Sequence, residues 1–180
     1  MRESHRAVTN SYDQFREDAR AVAMQALSPQ LQEHVSLKGI DAQERAIAGT
    51  WEMHSNRSPD AEWSWEEGVS GYKFRHPKQF DLAIWSTGQL CGLSIGKPTF
   101  SGDKMRLDVI ERSPLHNLLK GEVTSISITA FLTYAESIGA NQLRIMRPLN
   151  EDLVRFYQGF GFTLYRGKAS NVPTHLWLNL

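Results

Sequence analysis

Sulfur is scarce in this sequence of 180 residues, which contains one cysteine and five methionines. A single thiol cannot form a disulfide within the chain, so Cys91 provides neither a cross-link nor a sulfur-rich metal site. Because Cys91 lies inside an apolar run, we expect it to be a small buried side chain. The six histidines show no His-x-x-x-His or His-x-Glu spacing, and we expect no metal centre.

Net charge and long apolar runs are also missing. The 20 Lys and Arg balance the 20 Asp and Glu, whereas a nucleic-acid-binding domain is usually strongly basic. No apolar run approaches the roughly 18 residues of a membrane span, and residues 1–10 are too polar for a signal peptide. With 41% apolar residues the chain can bury a substantial core. These features predict a cytoplasmic protein of one domain, without nucleic-acid or membrane partners.

The charges are unevenly distributed along the chain. Residues 1–70 contain 7 Lys or Arg against 12 Asp or Glu, and residues 71–180 contain 13 against 8. Such asymmetry suggests different partners for the two regions. An acidic, solvent-exposed face on the N-terminal helices would explain it equally well, so both interpretations stay open.

The first 76 residues predict mainly helices. Residues 12–27 place apolar side chains at helical intervals, and Asn10 or Ser11 can cap the start of this helix. The combination of a Ser cap and a Pro at the first helical position occurs at Ser28-Pro29 and again at Ser58-Pro59. The other predicted helices run from Ser28-Pro29 to Gly39, from Asp41 to about Met53, and from Ser58-Pro59 to about Gly68 or Gly71.

After Pro77 the pattern changes to short apolar runs. Two of them flank Ser86-Thr87-Gly88-Gln89, which predicts a β-hairpin. Apolar side chains at helical spacing from Val123 to Ile138 predict a long helix, ended by Gly139. Strands followed by alternating strands and helices imply a mixed sheet with helices on its faces, an α+β domain. The predicted strands are 80–85, 90–95, 105–110, 143–146, 162–165 and 175–178, and a second helix covers 150–159.

The most specific segment is residues 150–162, Asn-Glu-Asp-Leu-Val-Arg-Phe-Tyr-Gln-Gly-Phe-Gly-Phe. With Asn150, Tyr157 and Gly161-Phe162 in register directly after an extended run, it resembles the last conserved segment of the GNAT superfamily of acyl-CoA-dependent N-acyltransferases. Every position matches in type except Leu153, where the family usually has alanine. The alternative is an ordinary amphipathic helix that ends at a glycine.

The resemblance covers about residues 80–180 and implies a GNAT-like fold. Its sheet is mixed and mostly antiparallel, with helices on both faces and here an added N-terminal helical segment. We expect one domain over 1–180, in which 1–76 lie on the acceptor side and 77–180 bind acyl-CoA. In the family, the strands equivalent to 105–110 and 143–146 are parallel neighbours that separate at one end and admit the pantetheine arm.

The pyrophosphate loop departs from the family pattern. Where the family usually has Arg/Gln-x-x-Gly-x-Gly/Ala, residues 114–125 contain one glycine. Such a site requires unpaired backbone N–H groups at a helix N-terminus and a close approach of the backbone to the phosphates. Gly121 permits that approach, Lys120 adds a cation, and Glu122 is unfavourable unless it caps the helix and points away. By resemblance, the cofactor-binding residues here are Leu119, Lys120, Gly121, Glu122, Val123, Thr124 and Ser125, of which Thr124 or Ser125 can donate a hydroxyl.

The resemblance also assigns catalytic roles. Tyr157 matches the family's tyrosine that donates a proton or a hydrogen bond to the CoA sulfur, and a phenol with a pKa of about 10 stays protonated at pH 7. A backbone N–H at Val109 or Ile110 would hold the oxyanion, and Asn150 would hydrogen-bond the cofactor arm.

The general base is less well defined. Asp108 and Glu111 lie on or just after the third strand, where the family often has an acidic residue or a histidine. Alternation along this strand places Asp108 opposite the apolar face of Met105, Leu107 and Val109. A structural ion pair of Asp108 with Arg106 or Arg112 is an equal alternative, and the other candidates are Glu66, Glu67 and a chain of water molecules.

The function implied is transfer of an acetyl group from acetyl-CoA to a primary amine, either a small molecule or a protein Lys or N-terminus. The acidic N-terminal region suggests a cationic acceptor. The alternative is a catalytically inactive GNAT-like module that binds CoA or a protein partner, suggested by the atypical loop. The sequence defines neither the acceptor nor the oligomeric state, and a homodimer could form.

Overall fold

A computed structural model describes residues 4–167 and 172–180. Within these residues, seven strands form one sheet in the order β1-β2-β3-β4-β5-β7-β6. The pair β4–β5 is parallel, and the other described pairs are antiparallel. The strands are β1 (Val35–Lys38), β2 (Phe80–Ser86), β3 (Gln89–Pro98), β4 (Met105–Arg112), β5 (Gln142–Met146), β6 (Thr163–Tyr165) and β7 (His175–Asn179).

Six α-helices and one 3-10 helix are described around this sheet. They are α1 (His5–Gln25), α2 (Pro29–Gln32), α3 (Ala42–Gly49), α4 (Trp65–Arg75), α5 (Glu122–Ser137), α6 (Glu151–Gln158) and the 3-10 helix Thr50–Met53. The predicted α+β class with a mixed, mostly antiparallel sheet is confirmed. No helix of the described residues is both long enough and apolar enough to span a membrane.

Two of the N-terminal predictions were wrong in detail. The first helix begins at its cap Ser4, whose hydroxyl accepts a hydrogen bond from Ala7 N, rather than at Asn10 or Ser11. The helix predicted to continue to Gly39 ends at Gln32, because Val35–Lys38 pairs with β2 as an edge strand. A strand of only four residues is too short to show a clear alternating pattern.

The fourth helix also starts later than predicted. Ser58-Pro59 forms a turn, and α4 begins after Ser64, whose hydroxyl accepts from Glu67 N. The helix was predicted to end at Gly68 or Gly71, but both glycines lie inside α4, which continues to Arg75. The predicted hairpin is confirmed, with Ser86 paired to Gln89 and with Thr87 and Gly88 in the left-handed region that a tight two-residue turn requires.

The two faces of the sheet carry separate apolar clusters. On one face, residues of α1, α5 and α6 pack against the sheet around Phe80, Leu107 and Phe131. On the other face, α3, α4 and the 3-10 helix pack on β2, β3 and β4 around Trp51 and Trp65. The N-terminal region therefore contributes to both faces, because α1 packs beside α5 while α3 and α4 lie opposite.

A buried ion cluster fixes α1 and α4 to the start of β2. The Asp81 carboxylate lies 3.3 Å from Arg20 Nη2 and 2.8 Å from Lys73 Nζ, and it also accepts a hydrogen bond from Ile40 N. Burial alone would raise the pKa of Asp81, but Lys73 and Arg20 more than compensate and hold that pKa below its ordinary value. Asp81 is therefore ionised at neutral pH, and its two cations have a buried counter-charge.

Candidate functional site

The parallel strands β4 and β5 separate after three residue pairs. Met105, Arg106 and Leu107 pair with β5, the last of them with Ile145. Beyond them β4 continues to Arg112 with no pairing on that side to any described strand. The gap expected between these strands is therefore present. It opens toward the C-terminal ends of both strands, where the loop to α5 and the loop to α6 begin.

A β-bulge in β4 lies at the point where this gap opens. Gly96 pairs with Leu107 but Ile95 pairs with Val109, so Asp108 is the extra residue of β4. Gly96 is required there, because a Cβ on it would overlap the carbonyl oxygen of Arg106. The sheet therefore tolerates the extra residue only where its partner strand lacks a side chain.

The bulge changes which side chains share a face. Simple alternation placed Val109 with Met105 and Leu107, and this was wrong. Val109 packs with the α4-side cluster, whereas Ile110 packs with the α5-side cluster. Asp108 lies on the α4 side, where its carboxylate contacts Tyr72 of α4.

The register identifies which backbone N–H groups of β4 point into the gap. Ser113 N donates to Cys91 O at 2.8 Å, and in an antiparallel ladder such bonded positions alternate along the strand. Glu111 and Val109 therefore pair with β3, and the intervening Ile110 directs its N–H to the opposite side. Beyond Leu107 no described residue of β5 pairs with that side.

No side chain of the described residues caps the N-terminus of α5. Gly121 precedes it with a φ of 96°, and no cap bond is made there, unlike the Asn150 cap of α6. Among the described residues the N–H groups of Val123 and Thr124 have no acceptor. A Cβ at Gly121 would meet nothing within 4 Å, so the space outside this turn is open. Unpaired N–H groups at a helix start form an anion site.

The side chains around this helix start are partly committed. The Ser125 hydroxyl donates to the Glu122 carbonyl at 2.8 Å and to its carboxylate at 3.2 Å, so it is not free for a ligand. The Thr124 hydroxyl makes no bond among the described residues and stays available. Lys120 is exposed, whereas Leu119 is buried in the core and its carbonyl accepts from Glu122 N.

Tyr157 lies on α6 with its side chain almost fully buried. The residue is 2% exposed and its ring packs against Phe156 and Phe162. Burial raises the pKa of Tyr157 to about 12, so the phenol keeps its proton at neutral pH. Its hydroxyl has no hydrogen-bond partner among the described residues. Asn150, expected to contact a cofactor, uses its side-chain oxygen to accept from Leu153 N at 2.9 Å, which leaves its NH2 group.

Asp108 is held by two partners. The Tyr72 hydroxyl donates to it at 2.6 Å, and the Arg106 guanidinium lies 2.7 Å away. Burial and the adjacent carboxylate both raise the pKa of Tyr72, so this hydroxyl stays a donor. The ion pair with Arg106 that the sequence left as an alternative is present.

Glu111 is held even more firmly. Arg57 donates to it from Nε at 2.7 Å and from Nη2 at 3.1 Å, and Trp65 Nε1 donates at 2.8 Å. The hydrogen bond to Glu111 raises the pKa of Arg57. The two remaining acidic candidates, Glu66 and Glu67, are exposed in the first turn of α4.

A lysine and a histidine are in contact on the α4 side of the sheet. Lys97 Nζ is 2.6 Å from His76 Nε2, and the His76 ring packs against Tyr72. Burial and the charge of Lys97 lower the pKa of His76, so its imidazole is neutral at pH 7. The sequence analysis did not identify His76, Lys97, Tyr72 or Arg57, because each is far in sequence from the β4 carboxylate beside it.

Comparisons with solved structures identify the fold. Ard1 from Thermoplasma volcanium matches at a TM-score of 0.60 and 14% identity, over 82% of this chain and 98% of that one. A mutant of the spermidine N-acetyltransferase SpeG from Vibrio cholerae matches at a TM-score of 0.60 and 12% identity, over 82% of this chain and 94% of that one. The yncA protein from Salmonella typhimurium, solved with its cofactor acetyl-CoA, matches at 0.58 and 15%, over 82% and 94%.

These matches, together with the gap between β4 and β5, show that the chain has the GNAT acetyltransferase fold. At such low identity they show the fold alone. No protein-family model matches the sequence, and no curated protein does so either. Among the described residues no group of three or more His, Cys, Asp or Glu could hold a metal ion.

Proposed function

We propose that this protein is an N-acetyltransferase that uses acetyl-CoA and an amine acceptor. The observation that carries the proposal is the gap where β4 continues past its last pair with β5, with the Ile110 N–H directed into it. The uncapped start of α5 follows β4 after one loop. A thioester carbonyl requires a hydrogen-bond donor such as the first, and a pyrophosphate requires an anion site such as the second.

The residues present fit acetyl-CoA at its charged end. The N–H groups of Val123 and Thr124 would receive the pyrophosphate, with the ammonium of Lys120 beside them. Gly121 leaves open space for the approach of phosphates. Two residues fit less well. The Leu153 side chain is larger than the alanine usual in the family, and the Glu122 carboxylate lies in the first turn of α5, where it accepts from the Ser125 hydroxyl.

The chemistry follows from the charges that appear during transfer. A neutral amine attacks the thioester carbonyl, and the Ile110 N–H would stabilise the negative charge that develops on the carbonyl oxygen. The Tyr157 phenol, protonated because it is buried, would donate to the departing thiolate. The proton lost by the amine would pass to Asp108, the carboxylate at the bulge, while Glu111 positions the loop of Arg57.

The test combines acetyl-CoA binding with acetyl transfer. We expect millimolar acetyl-CoA to raise the melting temperature, and a panel of primary amines to include an acceptor whose acetylation releases CoA thiol. Tyr157→Phe should lower kcat by about 10²-fold, the lower range for a proton donor, and leave acetyl-CoA binding nearly unchanged. No stabilisation by acetyl-CoA would contradict the proposal, and an unchanged kcat in Tyr157→Phe would contradict the role of the phenol.

A second candidate function is CoA binding without catalysis. It is favoured by the state of the two β4 carboxylates, because Asp108 and Glu111 both accept from cations and from a Tyr or Trp donor. This candidate predicts stabilisation by both CoA and acetyl-CoA, with no thiol release for any amine. The two functions therefore differ in the transfer assay and agree in the binding assay.

A further inference from the structure

Three cations lie side by side across neighbouring strands on the α4-side face of the sheet. Lys97 of β3 pairs with Arg106 of β4, and Arg106 pairs with Arg144 of β5. Residues directly opposite each other point to the same face, and like charges in such positions destabilise a sheet. This cationic row (Lys97, Arg106 and Arg144) lies one residue before the last β4–β5 pair, where the gap opens.

Among the described residues, only the central member of the cationic row has a carboxylate partner. Arg106 is neutralised by Asp108 at 2.7 Å. Lys97 Nζ contacts His76, which is neutral, and Arg144 donates to the neutral Gln142 side chain at 2.6 Å. No described carboxylate lies within ion-pair distance of Lys97 or Arg144. The row therefore keeps two uncompensated positive charges.

The half of this face next to Arg144 is not covered by the α4-side apolar cluster. That cluster contains residues of β2, β3 and β4, and none from the described parts of β5, β7 or β6. Arg144 pairs with Trp177, whose side chain is half-buried beside it. Burial, followed by the charges of Arg144 and Arg106, lowers the pKa of the nearby His175, so this ring is neutral at pH 7.

We propose that the acceptor amine carries an anionic group, a carboxylate or a phosphate, which Arg144 binds together with Lys97. This deepens the proposed function and rests on it. Because Asp108 is the extra residue of the bulge, the stretch from Arg106 to Ile110 runs beside only three residue steps of β3, from Lys97 to Ser94. At about 3.3 Å per residue it spans about 10 Å. A chain the length of a six-carbon amino acid, plus an arginine side chain, covers that distance. The acceptor is thus anionic, in contrast to the cationic acceptor that the acidic N-terminal region suggested.

The test uses amines matched in length and different in charge. The amines differ in the group remote from the reacting amine. 6-Aminohexanoate and glucosamine 6-phosphate carry an anion there, 6-aminohexanamide and glucosamine carry an uncharged group, and 1,6-diaminohexane carries a second cation. We expect KM for one or both anionic amines to be at least tenfold lower than for their uncharged counterparts. The diamine should have the highest KM. Comparing 6-aminohexanoate with glucosamine 6-phosphate shows whether the cationic row prefers a carboxylate or a phosphate.

Variants of Arg144 then connect this preference to the row. Arg144→Gln should raise KM for the preferred anionic amine by about tenfold or more, which is typical of a lost hydrogen bond to a charged group, and should change KM for its neutral counterpart little. Arg144→Lys should restore part of the preference. Arg6→Gln, which removes the same charge from the exposed start of α1, should leave it unchanged.

A binding readout separates this inference from the proposed function. With acetyl-CoA absent, 6-aminohexanoate or glucosamine 6-phosphate should stabilise the wild type against heat more than Arg144→Gln. If acetyl-CoA binds and amines are acetylated without preference for the anion, the inference is wrong and the proposed function stands. If acetyl-CoA does not bind, the proposed function is wrong.

Discussion

Replacing Gly96 by alanine tests the bulge that sets the geometry of the gap. The added Cβ would overlap the Arg106 carbonyl oxygen and lie 2.7 Å from Cε1 of Phe131, closer than real Cβ contacts. Since one contact is backbone and the other a buried ring, β3 and β4 must move apart. Overpacking of this kind costs about 1–3 kcal/mol, which corresponds to a decrease of about 2–12 °C in melting temperature for a chain of this size.

The same movement should displace the Ile110 N–H. Losing one oxyanion donor lowers kcat by about 10²–10³-fold, so we expect Gly96→Ala to lose activity beyond what its reduced stability explains. The assays are thermal unfolding by circular dichroism and acetyl transfer measured well below the melting temperature. Wild-type stability and wild-type kcat in this variant would refute the reasoning.

Gly88→Ala is the matched control for that experiment. Gly88 has a φ of 80° in the β2–β3 turn, and a Cβ there would meet nothing within 4 Å. Its cost is purely conformational, about 1–2 kcal/mol for a residue forced into the left-handed region. The control should therefore lower the melting temperature without changing kcat.

Two further predictions concern charge. Asp81→Asn should destabilise by about 3–5 kcal/mol, because Lys73 and Arg20 lose their buried counter-charge. Since the pKa of Asp81 is lowered in the folded state, its contribution is complete above the unfolded pKa of about 3.9 and is lost as pH decreases through the folded pKa. Acid titrations of unfolding should show this loss in the wild type and not in Asp81→Asn. Arg144→Gln should leave stability unchanged or raise it by about 0.2–1 kcal/mol, because Arg144 lies opposite Arg106, and chemical denaturation measures the change.

The elements of the C-terminal half were predictable because their periodicity is strong. The hairpin, the long helix α5 and the Asn150-capped helix α6 all lie within a few residues of their predicted bounds. The edge strand β1 was missed because it has four residues and pairs with β2 alone among the described strands. So short a strand shows almost no alternation of apolar and polar residues. The spacing of apolar residues along the chain therefore sufficed to predict an element where that element is long and half-buried.

The site was only partly predictable from the sequence, because much of it depends on register. One extra residue at Asp108 moves Val109 to the other face, and only the pairing with Gly96 reveals it. The Arg57–Glu111 pair joins residues 54 positions apart, and no local signal links them. The cationic row likewise exists only when β3, β4 and β5 are aligned.

Amide hydrogen exchange on addition of acetyl-CoA tests the central claim most directly, because it observes the three backbone groups that the claim names. Ile110 N–H faces the gap, and the N–H groups of Val123 and Thr124 are unpaired in the free chain. We predict that saturating acetyl-CoA slows exchange at all three and leaves the amides of α1 unchanged. Unaltered exchange at these positions under saturating ligand would contradict the assignment of the gap as an acyl-CoA site.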